Sequence, residues 1–247
     1  MTAMDLYWLE HAEAELPADN DWLSAEESAC LNGMRFPKRR ADWRLGRWTA
    51  KRAVAICLNM PTQARVLAEI EIRPAQSGAP EVFVTNQAAA LSISLSHRAG
   101  VAACAVVLAN VALGCDLETV EPRSDGFVAD YFTAEEQALC AQAPATDRFR
   151  LLALLWSGKE SALKALHTGL RLDTRSVTVR PSAAFVPSTC SGQAVSVPTS
   201  SGPHLWSPLH AYCANGQVFS GWWQETAKYL RTVVIAPPSA SPIFLAR

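Results

Sequence analysis

LSAEESACLNG (Leu23–Gly33) and FTAEEQALCAQ (Phe132–Gln142) lie 109 residues apart and read alike. Each sets a hydroxyl three residues ahead of a glutamate, Ser24 with Glu27 and Thr133 with Glu136, which is the capping-box spacing of a helix start. At the same spacing RRADWRLGRWTAKRAVAIC (Arg39–Cys57) falls against RFRLLALLWSGKESALKAL (Arg148–Leu166), pairing Arg39 with Arg148, Leu45 with Leu154 and Ala53 with Ala162. Both stretches read as long amphipathic helices. Strand-like runs follow each: LSISLSH and GVAACAVVL in the first case, SVTVR, HAYCA and QVFSGWW in the second. A short capped helix, a long helix and strands, given twice, predict an α+β protein. Its two similar α/β halves, residues 1–110 and 111–247, should be related by a pseudo-twofold axis, with the boundary at the turn residue Asn110. Ligands settle at interfaces between such units, so an active site is expected in the cleft between the halves.

The totals narrow the class. Of 247 residues, 49% are hydrophobic and 18% charged, as in an ordinary globular chain, and the net charge is −1. Nothing in that balance recruits nucleic acid or an anionic membrane, so any grip on an anion must be local. No apolar run reaches the ~18 residues of a membrane span. VAACAVVLANVALG is broken by Asn110 and reads as two buried strands. The N-terminal stretch carries acids rather than a basic region, so no signal peptide is expected. The cysteines (Cys30, Cys57, Cys104, Cys115, Cys140, Cys190 and Cys213) form no C-x-x-C pair, which suits free thiols in a reducing cytoplasm. Residues 181–208 read as loops, and Pro237, Pro238 and Pro242 make the tail extended.

Four features offer chemistry. In GCDLE (Gly114–Glu118), Asp116 and Glu118 emerge two apart at the end of an apolar strand, on one face. Two such acids repel, and a divalent cation relieves the repulsion; a solvated strand end is the alternative. On the second long helix Glu160 and Lys164 share a face. A surface ion pair is the plain reading, but the apolar run FRLLALLW before them implies packing, which would make Glu160 a third oxygen ligand and Lys164 an anion contact. Eight cations fall between Arg35 and Arg52, and Arg40, Arg44, Arg47 and Lys51 recur at helical spacing. Such a stripe binds phosphates, or is a solvated face. Ser96 and His97 close an apolar strand ahead of a turn at Gly100 and can donate to a phosphate; a structural histidine is the alternative.

Together these stretches resemble the 4′-phosphopantetheinyl transferases of the surfactin-synthetase-activating (Sfp-like) type, from about Arg35 to Leu170. GCDLE resembles that family's G-[IVC]-D-[IVL]-E motif, and WSGKESALKAL its W-[ST]-x-K-E-[AS]-x-x-K motif. RRADWRLGRWTAK and SISLSH resemble its basic-helix and S-[IL]-S-H elements, in the same order. The resemblance implies transfer of the phosphopantetheine arm of coenzyme A to a serine of an apo carrier protein (acyl, peptidyl or aryl), releasing adenosine 3′,5′-bisphosphate. It implies Mg²⁺ on Asp116, Glu118 and Glu160, nucleotide phosphates on Arg39 and Arg47, the phosphate chain at His97 beside Ser96, and Lys164 near the reacting phosphate. Glu160 is the candidate base for the serine. A monomer follows, since both halves are in one chain, with a carrier surface near Arg123 and Phe127. Three positions depart from the pattern. Ala79 stands where a lysine is usual, with Arg73 a possible substitute; His167 stands where glycine is frequent; Lys51 replaces an arginine. A Mg²⁺-dependent nucleotide phosphohydrolase or nucleotide-binding regulator on the same acids, and a non-catalytic module whose basic helix binds an acidic partner, are the competing readings.

Overall fold

Ser24 and Thr133 both cap helices, and their capping boxes reach into the core. The computed structural model describes residues 4–182 and 205–246. In chain order the elements are β1 (Tyr7–Ala12), α1 (Ala25–Gly33), α2 (Pro37–Cys57), α3 (Ala64–Leu67), β2 (Ile70–Pro74), β3 (Pro80–Val84), β4 (Gln87–Ala88), β5 (Ser92–Arg98), β6 (Val101–Val107) and β7 (Ala112–Glu118). There follow α4 (Asp125–Tyr131), α5 (Ala134–Gln142), α6 (Ala145–Ala165), β8 (Val177–Pro181), β9 (Ser207–Cys213), β10 (Val218–Glu225), β11 (Leu230–Ala236) and β12 (Ile243–Phe244). Cys190 and most of the loop-rich stretch expected at 181–208 lie outside the described residues. Among the described residues no helix is long and apolar enough to cross a membrane.

Each box glutamate joins three parts of its half. Glu27 closes the box with Ser24, accepts from the Ile72 amide at 3.2 Å and pairs with Lys51, which is fully buried. Glu136 closes the box with Thr133, accepts from the Val179 amide at 2.9 Å and pairs with the equally buried Lys159 at 2.7 Å. A buried charge stays only where it is paired and hydrogen-bonded. These two pairs therefore lock a short helix, a long helix and a strand together at the same place in both halves. Lys51 is thereby a packing residue.

The same pairs correct the internal register. The short helices are 109 residues apart, Ala25 to Ala134, but the long helices start at Pro37 and Ala145 and end at Cys57 and Ala165, which is 108. The connection before α6 is one residue shorter than that before α2. WTAK (Trp48–Lys51) thus lies over WSGK (Trp156–Lys159), and the pairings of Arg39, Leu45 and Ala53 made at one constant spacing are one residue out.

The fold is α+β. One sheet runs β12-β1-β6-β5 and carries α2; another runs β7-β11-β10-β9-β8 and carries α6; β2-β3-β4 forms a third. Each long helix has its own apolar core against its sheet. A third cluster joins the halves, with Leu6, Trp8 and Ala105 meeting Leu113, Cys115 and Val233. The tail crosses back: β12 pairs in parallel with β1, and Leu245 donates to the Trp8 carbonyl at 2.9 Å.

The edge strands β5 and β7 meet through side chains. The alternating serines of SISLS share one face. Ser92, Ser94 and Ser96 accept through Oγ from the amides of Val111, Cys115 and Leu117 at 2.9, 2.9 and 3.1 Å. On its other side β7 presses against α6. A Cβ on Gly114 would sit 1.8 Å from the Ser161 carbonyl oxygen, so only glycine allows this approach.

Candidate active site

The closeness of β7 and α6 at Gly114 puts Asp116, 7% exposed, among side chains of three elements. Ser96 from β5 and Lys164 from α6 donate to its Oδ1 at 2.8 and 2.9 Å, and Ser157 from α6 donates to its Oδ2 at 2.9 Å. Ser157 continues into a buried hydroxyl chain, 2.8 Å to Thr232 and from there 2.7 Å to Ser161. Such a network fixes the carboxylate from both sides. The Ser96 hydroxyl donates to Asp116, so this serine braces the acid.

Glu118 takes Arg98 on Oε1 at 2.9 Å, Arg123 on Oε2 at 3.1 Å and the Thr119 amide at 2.9 Å. Arg123 also stacks on Phe127, which packs on Tyr131 and Trp156. Glu160 sits one helical turn before Lys164, and its Oε1 is buried with no hydrogen-bond partner. Burial pushes this carboxyl above its ordinary value; the charges of Asp116 and Glu118 push it further, and Lys164 opposes them. Burial, the largest single influence, would lower Lys164, but Asp116, Cys115 and Glu160 together outweigh it, so the ammonium is held above its usual range. Its amine is anchored by the Cys115 carbonyl as well, at 2.9 Å.

Asp116, Glu118 and Glu160 therefore share one electrostatic neighbourhood. They are not gathered as a closed ligand set: among the described residues no group of three or more His, Cys, Asp or Glu side chains is arranged to hold a metal ion. The orphaned oxygen of Glu160 lies in the field of two further carboxylates, which Lys164 opposes without bonding to that oxygen. A hard divalent cation with oxygen ligands supplies positive charge there, so the donor set fits one. Glu160 has the free oxygen for it; Asp116 would share its oxygens with Ser96, Lys164 and Ser157, and Glu118 would join only if Arg98 and Arg123 give it up.

Lys164 opens into a cleft of about 710 Å³ between the halves, within the range of small-ligand sites. Arg47, Arg73 and Ala79 come from the first half, Lys164, His167 and Arg171 from the second, and no described lining residue is acidic. A second pocket of about 540 Å³ shares Arg47 and Leu95 with it and brings together Arg39, Ser96 and His97. Asp116 is held by a side chain from each pocket, Ser96 and Lys164. His97 is exposed, its Nε2 3.7 Å from Asp42.

The basic stripe divides. Arg40 donates to the Leu31 and Met34 carbonyls, and Arg44 to the Pro17 and Ala18 carbonyls. With Lys51 on Glu27, three of its four cations tie α2 to α1 or to the loop before it, which corrects the reading of the stripe as one phosphate-binding face. Arg47 alone of the four lines the cleft, stacked on Trp43. Arg73 lines it too, but is held by Glu71 and Asn86, both at 2.7 Å. His167 has φ +55°, a left-handed conformation that glycine adopts without strain. Arg98, Ser157, Thr232 and Arg171 were not singled out from the sequence; only the serine alternation of SISLS hinted at the seam that organises the site.

The sequence comparisons coincide with this geometry. Residues 112–207 match the model of the 4′-phosphopantetheinyl transferase superfamily. That segment opens on β7 and holds Asp116, Glu118, Glu160 and Lys164, whereas Arg39, Arg47, Ser96 and His97 lie outside it. Two holo-[acyl-carrier-protein] synthases, from two strains of Chloroflexus aurantiacus, are each 43% identical over 60 residues, 24% of this chain. The match spans 44% of the length of those relatives, less than half.

Proposed function

We propose that this chain is a 4′-phosphopantetheinyl transferase of the Sfp-like type, which moves the phosphopantetheine arm of coenzyme A to a serine of an apo carrier protein. The observation that carries the reading is Asp116, held by Ser96, Ser157 and Lys164, near the orphaned Oε1 of Glu160, with Lys164 itself lining a cleft that carries Arg47, Arg73 and Arg171. The match over residues 112–207 supports it, because that segment contains this acid–lysine set.

The cleft takes coenzyme A, with Arg47 and Lys164 facing its phosphates and Arg39 and His97 the adjoining pocket. Mg²⁺, when bound by Asp116 and Glu160, neutralises charge developing on the diphosphate. The carrier serine oxygen bonds to the phosphorus bearing the pantetheine arm, and the bond from that phosphorus to the bridging oxygen breaks. The bridging oxygen leaves with adenosine 3′,5′-bisphosphate. Glu160, raised toward neutrality by burial and by Asp116, takes the serine proton directly or through one water. Lys164 lies next to the leaving phosphate and stabilises its charge. Since both halves of the cleft come from one chain, the active form is a monomer.

Nucleotide release separates transfer from hydrolysis. With coenzyme A and Mg²⁺, adenosine 3′,5′-bisphosphate should appear only when an apo carrier is added, one equivalent per carrier modified. Release at the same rate without a carrier would replace this reading with a phosphohydrolase.

A further inference from the structure

Among the described residues Arg171 is the cation of the cleft with no acidic partner. Arg73 pairs with Glu71, Lys164 with Asp116, and Arg47 lies 3.7 Å from Glu27. The contacts of the Arg171 guanidinium are neutral carbonyls: Thr168 at 3.1 Å, His167 at 3.4 Å and Ser77 at 3.0 Å. No described carboxylate pairs with it. The first two carbonyls belong to its own turn, where His167 and Gly169 at φ +55° and +53° carry the chain round after α6. The third lies in the turn between β2 and β3, in the other half. Arg171 therefore spans the cleft beside Ala79, whose short side chain leaves room.

The cations of the second half also stand on separate supports. Lys164 is anchored to β7 through Asp116 and Cys115, and Arg171 to the turn at Ser77. Coenzyme A carries its phosphorus in two places as well, a diphosphate and a monoester on the ribose 3′ oxygen. Lys164 belongs with the diphosphate, beside Asp116. The geometry points to Arg171 as the residue that recognises the 3′-phosphate monoester, exchanging its bond to the Ser77 carbonyl for a forked contact to the dianion. This rests on coenzyme A being the ligand of the cleft; it adds a specificity residue from the second half, where that role does not depend on a lysine at position 79.

Calorimetric binding of coenzyme A and of 3′-dephospho-coenzyme A to the full chain, without any carrier, tests this. Wild type should prefer coenzyme A. Arg171→Gln should weaken coenzyme A by at least about ten-fold and leave the dephospho form unchanged, with Arg171→Lys between. Equal weakening of both ligands would mean that the variant only loosens the Ser77 turn, and an unchanged preference would mean that another group reads the monoester; either overturns the assignment. The transfer reading fails separately. A wild type that binds with this preference yet modifies no carrier keeps Arg171 in its role and loses the enzymatic one.

Discussion

Glu160→Gln isolates the charge on which the site is built. In the folded chain the carboxyl is held above its ordinary value by burial and by Asp116, and its Oε1 has no hydrogen-bond partner. Each unit by which folding raises a carboxyl's pKa is a penalty of about 1.4 kcal/mol on its charged form, and the amide carries no such penalty. An amide of the same shape removes the charge and its repulsion with Asp116. Taking ~2 kcal/mol, and ~2–4 °C per kcal/mol for a chain of this size, the variant should melt about 4–8 °C above wild type at pH 8 without metal. The sign with pH follows from linkage. An acid whose folded pKa is raised contributes no penalty below its unfolded value near 4.5, and the penalty grows as pH rises through the folded value. The gap should therefore close near pH 4 and be complete at pH 8. Mg²⁺ should raise the melting temperature of wild type and leave the variant nearly unmoved. The assay is thermal unfolding at several pH values, with and without Mg²⁺. A variant no more stable than wild type at pH 8, or one stabilised equally by Mg²⁺, would refute the reasoning.

Other substitutions separate packing from chemistry. Gly114→Ala should drive a methyl into the Ser161 carbonyl, push α6 off β7 and cost about 1–3 kcal/mol with a large loss of transfer; denaturant unfolding beside a transfer assay checks it. Lys159→Met leaves Glu136 charged and buried, so chemical denaturation should show a loss of about 3–5 kcal/mol. Arg40→Ala should lower stability and leave coenzyme A affinity alone, whereas Arg47→Ala should weaken coenzyme A binding with little change in unfolding. A reversal between those two would relocate the phosphate grip.

The paired capping boxes, the two long helices and the strands around SISLS and GCDLE were all legible, because each rests on local chemistry or on period. What escaped depends on partners distant in sequence. The basic stripe on α2 is a pattern of spacing, and spacing does not show that Arg40 meets carbonyls at the end of α1 and Arg44 those of the loop before it. Lys159 and Lys164 look alike on one helix, yet one pairs with Glu136 in the core and the other reaches from Asp116 to the cleft. β11, LRTVVIA, is a short apolar run lying between two other strands, which periodicity alone does not separate from helix. One residue fewer before α6 displaced the repeat alignment, although WTAK and WSGK carried the true register. Arg171 lies in an irregular turn after α6, where no period points to it.

The most direct test is the intact mass of a purified apo carrier protein after incubation with this chain, coenzyme A and Mg²⁺. The account predicts a gain of about 340 Da, one phosphopantetheine group on one serine, with no gain in the presence of the Asp116→Ala chain. A panel of acyl, peptidyl and aryl carriers left at their starting masses by a folded, coenzyme A-binding chain would contradict it.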